Sequence, residues 1–146
     1  GAIAQSVGQD LLGLSARVVV ENGGDLFLAA DRGLTVAVDA GQSPLSGRLG
    51  VELAAADMPI CLCTSSGTVG HSLSLGRADA ATVASSDGAL ADAVATMLGN
   101  RVQGKADLAP ALEWAATVPG VKGALLVLGD KLAAWGDLTL ADLRED

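Results

Sequence analysis

Arg17-Val18-Val19-Val20-Glu21-Asn22-Gly23-Gly24-Asp25-Leu26-Phe27-Leu28 is the stretch on which the fold turns. Three β-branched residues in a row predict a buried strand over Arg17 to Glu21, and the Asn-Gly-Gly-Asp cluster predicts a tight turn into a second strand at Leu26 to Leu28. The same device recurs near the other end, where Gly123 to Leu128, the Gly129-Asp130 turn and Lys131 to Trp135 form a second hairpin pattern. Further strands are expected at Leu34 to Ala40, Ile60 to Cys63, Ser72 to Leu75 and, by a weaker alternation, Ala80 to Ala84, with Gly41 to Gly47 as a loop.

Helices fill the intervals. Ile3, Val7, Leu11 and Leu14 recur at helical spacing and predict an inward apolar stripe ending near Ser15, opposite Gln5, Gly8 and Gln9. Ser85-Ser86-Asp87-Gly88 supplies N-cap candidates for a helix with Leu90, Val94, Met97 and Leu98 inward. Asp107 is a candidate cap for a third helix that tolerates Pro110 in its first turn, buries Leu108, Leu112 and Ala115, and stops at Pro119-Gly120. Helices placed between hairpins point to an α+β fold with a mostly antiparallel sheet, not a doubly wound one.

The composition narrows the partners. The 146 residues are 50% hydrophobic with 27 Ala and 19 Gly but one Phe, two Trp and no Tyr, so the core closes by near approach of backbones. A formal charge of -8 and the lack of any basic run argue against nucleic acid as a partner. No apolar stretch approaches the roughly 20 residues of a membrane span, no basic leader precedes Ala2 to Leu14, and Cys61 and Cys63, one residue apart, offer no disulfide framework. A cytoplasmic protein with a small-molecule partner is expected, and assembly into a homo-oligomer stays open.

Several patterns carry little. Gly99 to Lys105 has phosphate-loop spacing, but Ala106 stands where a hydroxyl must hold magnesium, and the segment follows a helix. Cys61, Cys63 and His71 lack a fourth zinc ligand, and the cysteines read better as small strand hydrophobes. Thr64-Ser65-Ser66-Gly67 lacks the nucleophile-elbow pattern.

Three features carry more. Asp92 and Thr96 lie one helical turn apart, with Asp92 about 200° around from Leu90, and form a hard-oxygen pair suited to magnesium. On spacing alone the pair reads more readily as two exposed polar residues on an Ala-rich helix. Seven of the eight residues from Thr64 to His71 are polar or glycine, a loop whose hydroxyls and amides suit an anion or simply make a turn. His71, the only histidine, closes that loop as a candidate acid, base or cation, or as a histidine hydrogen-bonded at a strand start. The Gly23-Gly24 tip would admit a flat ligand near Asn22 and Asp25, or be a turn alone.

Gly1-Ala2-Ile3-Ala4-Gln5, Asn22-Gly23-Gly24-Asp25, Cys63-Thr64-Ser65-Ser66-Gly67-Thr68-Val69-Gly70-His71-Ser72 and Ala91-Asp92-Ala93-Val94-Ala95-Thr96 occur here in the order seen in the prokaryotic UPF0280 family, which is similar to the ApbE flavin transferases. The resemblance covers about residues 1 to 100. It implies an ApbE-like domain over 1–146 that matches the latter part of the family, with an N-terminal part missing. It further implies magnesium and FAD or FMN as cofactors, with Asp92, Thr96 and a backbone carbonyl near Ala4 on the metal. Asn22, Gly23, Gly24, Asp25, Thr64, Ser65, Ser66 and Gly67 would line the flavin-nucleotide site, and His71 would be the catalytic histidine. Two departures stand beside these matches. Gln5 replaces the lysine of the transferases, and Ser72-Leu73-Ser74-Leu75-Gly76-Arg77 replaces the Asp-Pro and Thr-Gly that follow their histidine. The implied activities are phosphoryl or FMN transfer, or diphosphate cleavage, with a noncatalytic binding module or a structural subunit of an oligomer as alternatives.

Overall fold

The computed structural model describes residues 1–69 and 75–144. A six-stranded antiparallel sheet runs in the order β1-β2-β5-β6-β7-β8, formed by β1 (Val18–Asn22), β2 (Asp25–Ala29), β5 (Ile60–Ser65), β6 (Ala80–Ser85), β7 (Val121–Leu128) and β8 (Lys131–Gly136). One face carries α1 (Ala2–Leu11), α2 (Gly88–Asn100) and α3 (Leu108–Ala116). The other faces a three-stranded antiparallel sheet in the order β3-β4-β9, from β3 (Leu34–Ala37), β4 (Leu49–Leu53) and β9 (Thr139–Asp142). The chain is therefore α+β, in three layers, and every strand pair described is antiparallel.

Strand alternation divides the core in two. Phe27, Cys61, Cys63, Ala81 and Val83 turn toward the helices, while Leu28, Ile60, Leu62, Ala80 and Ala84 turn toward the small sheet. β6 is buried at all six positions, because it is central and covered on both faces. That double cover explains why its alternation is faint in the sequence. At the β1/β2 tip, Asn22 pairs with Asp25 and leaves Gly23 and Gly24 as a two-residue turn with φ of 63° and 97°, conformations that side chains with a Cβ resist.

Several expectations need correction. β1 is not a buried strand: it lies at the edge of the sheet, with Val18 buried but Val19 58% exposed and Glu21 at the surface. α1 ends at Leu11, short of Ser15, and its large residues do not face inward: Ala4 and Gly8 are its buried residues, while Ile3, Val7 and Leu11, and Leu14 beyond its end, are exposed. The reason is distance, since the position a Gly8 Cβ would occupy lies 2.0 Å from Phe27 Cδ1, so the helix sits too close to the sheet for a larger inward side chain. Met97 of α2 is likewise exposed, and Ala91, Ala95 and Gly99 join Val94 and Leu98 on its buried face. Asp107 precedes α3 without capping it, and its carboxylate instead accepts from Gln103 N and Gly104 N, each at 2.9 Å. β3 ends at Ala37, while β4 and β9 are strands beyond those expected, although Leu49, Val51 and Leu53 of β4 alternate with Gly50 and Glu52. The expected strand at Ser72 to Leu75 falls mostly outside the described residues, and Leu75 itself lies in a bend.

Asp87 does cap α2, accepting from Ala89 N at 2.9 Å and Leu90 N at 3.1 Å. Asp87→Ala should lower unfolding free energy by about 1 kcal/mol in urea titrations, as loss of a helix cap does elsewhere. An unchanged midpoint would show that these bonds contribute nothing net. Among the described residues, no helix is long and apolar enough to cross a membrane.

Candidate functional site

A cleft of about 810 Å3 opens at the β1/β2 tip, where the end of β5, the middle of α2 and the strand β3 meet. Asn22, Gly23, Gly24 and Asp25 line it from the hairpin, Thr64, Ser65 and Ser66 from β5 and the residue after it, and Asp92 and Thr96 from α2. Asp25 alternates with Phe27 onto the helix-facing side of the sheet, and this brings its carboxylate toward Asp92. Three segments distant in sequence are thereby joined at one opening.

The amine of Gly1, as it stands at the head of these 146 residues, hydrogen-bonds to both Asp25 and Asp92, the latter at 2.8 Å. The Asp25 side chain is only 16% exposed and that of Asp92 49%. Burial opposes the charge on the amine, but hydrogen bonds to the two carboxylates and their charge outweigh it and raise the amine to about 10, from an ordinary 8.0.

The electrostatics of the lining are one-sided. Glu21, Asp25, Asp39 and Asp92 contribute four carboxylates, and no Lys or Arg is among the described lining residues. An anionic ligand entering this cleft therefore needs a cation to accompany it. Among the described residues, no three His, Cys, Asp or Glu side chains converge as a metal cluster. The oxygen donors that do share the cleft are Asp25, Asp92 and the Thr96 hydroxyl.

The Thr64 to Gly67 segment is less open to an anion than its composition suggests. Thr64 and Ser65 belong to β5, and the Thr64 hydroxyl shares a hydrogen bond with that of Thr82 at 2.9 Å. Ser66 Oγ accepts from Thr68 N at 3.0 Å and Val69 N at 2.8 Å, and Gly67 N donates to Ala78 O at 2.8 Å. These amides hold the loop to itself. Gly67 is not part of the lining, and a Cβ there would lie 2.2 Å from Gly76 O, so its smallness serves backbone packing. The loop is further pinned by Asp79, which accepts from Thr68 Oγ1 at 2.9 Å and from Gly129 N at 2.6 Å.

Ala4 is fully buried on the inner side of α1 and is not part of the lining; the group that the start of the chain places against Asp92 is Gly1. His71 lies outside the described residues. Glu21, Asp39 and Thr82 line the cleft without having drawn notice as strand-flanking polar residues. Gln5 also has a place that the sequence did not announce. Its Oε1 accepts from Gly88 N at 2.7 Å and its Nε2 donates to Ser86 O at 3.0 Å, tying α1 to the first turn of α2 and satisfying one of that helix's unpaired amides.

Cys61 and Cys63 are free and buried. Burial pushes the Cys61 thiol up to about 11 and raises that of Cys63 as well, so both stay neutral thiols at physiological pH. Maleimide at pH 7.5 should leave both unmodified in the folded chain and label both in urea, as read by mass spectrometry. Rapid labelling without denaturant would contradict their burial.

Residues 1–134 match the family model described as "AbpE bacteria". The chain is 48% identical over 120 residues to a UPF0280 protein of Methanocella arvoryzae, a match covering 82% of this chain and 49% of that protein. It is 45% identical over 132 residues to a UPF0280 protein of Methanosarcina acetivorans, covering 88% and 52%, and 38% identical over 143 residues to the UPF0280 protein MMP1236 of Methanococcus maripaludis, covering 94% and 58%. The chain spans about half the length of these curated relatives. With a family match that runs through the hairpin tip, the β5 end and α2, the chain belongs to the UPF0280 family of ApbE-like proteins.

Proposed function

We propose that the cleft binds a flavin nucleotide, FAD or FMN, or a related diphosphate, together with magnesium, and that it serves transfer or cleavage at the phosphate. The observation that carries this reading is the meeting of Asp25, Asp92 and the Thr96 hydroxyl at one cleft whose described lining holds four carboxylates and no Lys or Arg. A site of that charge favours a phosphate ligand only as its metal complex. Two carboxylates and a hydroxyl one turn away fit magnesium, which keeps waters and phosphate oxygens in its remaining positions.

Bound there, magnesium would neutralise the diphosphate and polarise its phosphoryl oxygens. Asp92, Thr96 and Asp25 would hold it. The turn at Gly23 and Gly24, lacking side chains, would let a flat ring approach the backbone beside Asn22. Thr64, Ser65 and Ser66 would offer hydroxyls beside that turn, while His71 would hold or move a proton. A backbone carbonyl near Ala4 would complete the protein's share of the ligands.

A second reading is favoured by one observation: Gln5, where the transferases have lysine, spends both ends of its amide on the first turn of α2. On that reading the cleft binds without turnover. Calorimetric titration of FAD, then FMN and ADP, into the chain with magnesium and then with EDTA tests the proposal. Binding at least tenfold tighter with magnesium is expected. Equal affinity in EDTA, or no heat with any of the three, would overturn it, and metal-dependent binding without diphosphate turnover would select the noncatalytic form.

A further inference from the structure

The outer face of α1 is constructed the wrong way round for a helix that ends at solvent. Its buried residues are Ala4 and Gly8, whereas Ile3 is 67% exposed, Val7 44% and Leu11 39%, and Leu12 and Leu14 just past its end are exposed as well. A helix on a globular surface normally turns such a stripe inward and its small and polar residues outward. Here close packing of Gly8 on Phe27 fixes the small face against the sheet, so the described residues leave the apolar stripe partly uncovered. A contiguous apolar stripe of this kind marks a contact surface.

We infer that this stripe is the seat of the part of a UPF0280-length polypeptide that lies outside the present 146 residues. The match to the M. arvoryzae relative covers 49% of that protein, so about half of its residues lie beyond the match and are available as cover. Area also decides against a second copy. A stable interface needs roughly 800 Å2 and 20–30 residues on each side. A ten-residue helix about 15 Å long presents three large side chains, with Leu12 and Leu14 just beyond its end, too few for two free copies to associate through this face. A segment joined covalently needs no such area, because the tether supplies its effective concentration. This inference is independent of any ligand in the cleft.

The test compares the 146-residue chain with a chimera in which the residues of the M. arvoryzae relative outside its matched 120 are joined to this chain in their own order, with folding of both verified by circular dichroism. Val7→Cys and Leu11→Cys, introduced singly, are labelled with maleimide alongside Glu113→Cys on the exposed side of α3 as a control; Cys61 and Cys63 are buried in the parent. Labelling of positions 7 and 11 should be at least tenfold slower in the chimera, with position 113 unchanged. Val7→Asp should leave the melting temperature of the short chain within about 2 °C of its parent and lower that of the chimera by more than 5 °C, since only there is the position covered. Equal labelling rates and equal Val7→Asp effects in the two proteins would overturn the inference. So would a dimer of the short chain, by light scattering, that protects position 7, since the occupant would then be a second copy. If the chimera does not fold, the same relative's residues supplied as a separate polypeptide read the same protection, and its absence counts against the inference.

Discussion

Asp92→Ala should weaken magnesium-dependent FAD binding by more than about 100-fold, while the variant melts within a few degrees of its parent. Residues that merely orient metal ligands change affinity by about 10- to 100-fold, so a direct carboxylate ligand should reach at least the upper end of that range. Asp92 is on α2 with its side chain half exposed, and Asp25 stays in place to face it across the cleft. Its removal opens no cavity and leaves no buried partner stranded, which keeps the stability effect small. The contrast between a lost ligand and a retained fold is what the proposed function requires. FAD affinity that is unchanged in Asp92→Ala and equally magnesium-dependent would place the metal elsewhere and overturn the assignment. Asp92→Asn sharpens the comparison, because it keeps the shape and one oxygen donor but removes the charge.

Gly8→Ala should destabilise the chain by about 2 to 3 kcal/mol, although alanine ordinarily stabilises a helix relative to glycine by about 1 kcal/mol. The added methyl would lie 2.0 Å from Phe27 Cδ1, 2.6 Å from Cε1 and 2.7 Å from Cγ, distances that no real carbon contact tolerates. Phe27 is 2% exposed and packed in the helix-side core, so its ring has no open space to enter. Either α1 lifts from the sheet or the ring leaves its rotamer. In a chain of this size the cost corresponds to a fall of roughly 6 to 12 °C in Tm. Phe27→Leu is also destabilising by itself, but the double variant should be more stable than the sum of the two single effects, because the smaller side chain makes room for the methyl. A Gly8→Ala protein as stable as its parent would show that the helix stands farther from the sheet than described.

Much of the architecture is legible in local sequence. Asn22-Gly23-Gly24-Asp25 specifies its own turn because two successive positive φ angles are cheap only for glycine, and the β1/β2 register follows from that turn. Asp87 announces the start of α2 by a bond to amides two and three residues away. The second hairpin, β7 to β8, is equally local. β4 is not, since Leu49-Gly50-Val51-Glu52-Leu53 becomes a strand by pairing with β3 on one edge and with β9, some 90 residues later, on the other. α1 misleads for a related reason. Periodicity identifies which residues share a face, but not whether that face meets the sheet, and the available gap over Phe27 decided the matter in favour of Gly8.

The site divides along the same line. By itself the amino-acid sequence determined the family, the α+β class and the chemical character of the pieces: a glycine turn bearing Asp25, a hydroxyl-rich strand end at Thr64 to Ser66, and an oxygen pair at Asp92 and Thr96. Only the tertiary structure decided that these pieces meet, that Glu21, Asp39 and Thr82 join them, that Gly67 packs against backbone outside the lining, and that the amides of Thr68 and Val69 are already occupied. The physical reason is that a side chain's chemistry is carried by the residue, whereas its neighbours and the water it loses depend on strand pairing and layer packing between segments far apart in the chain.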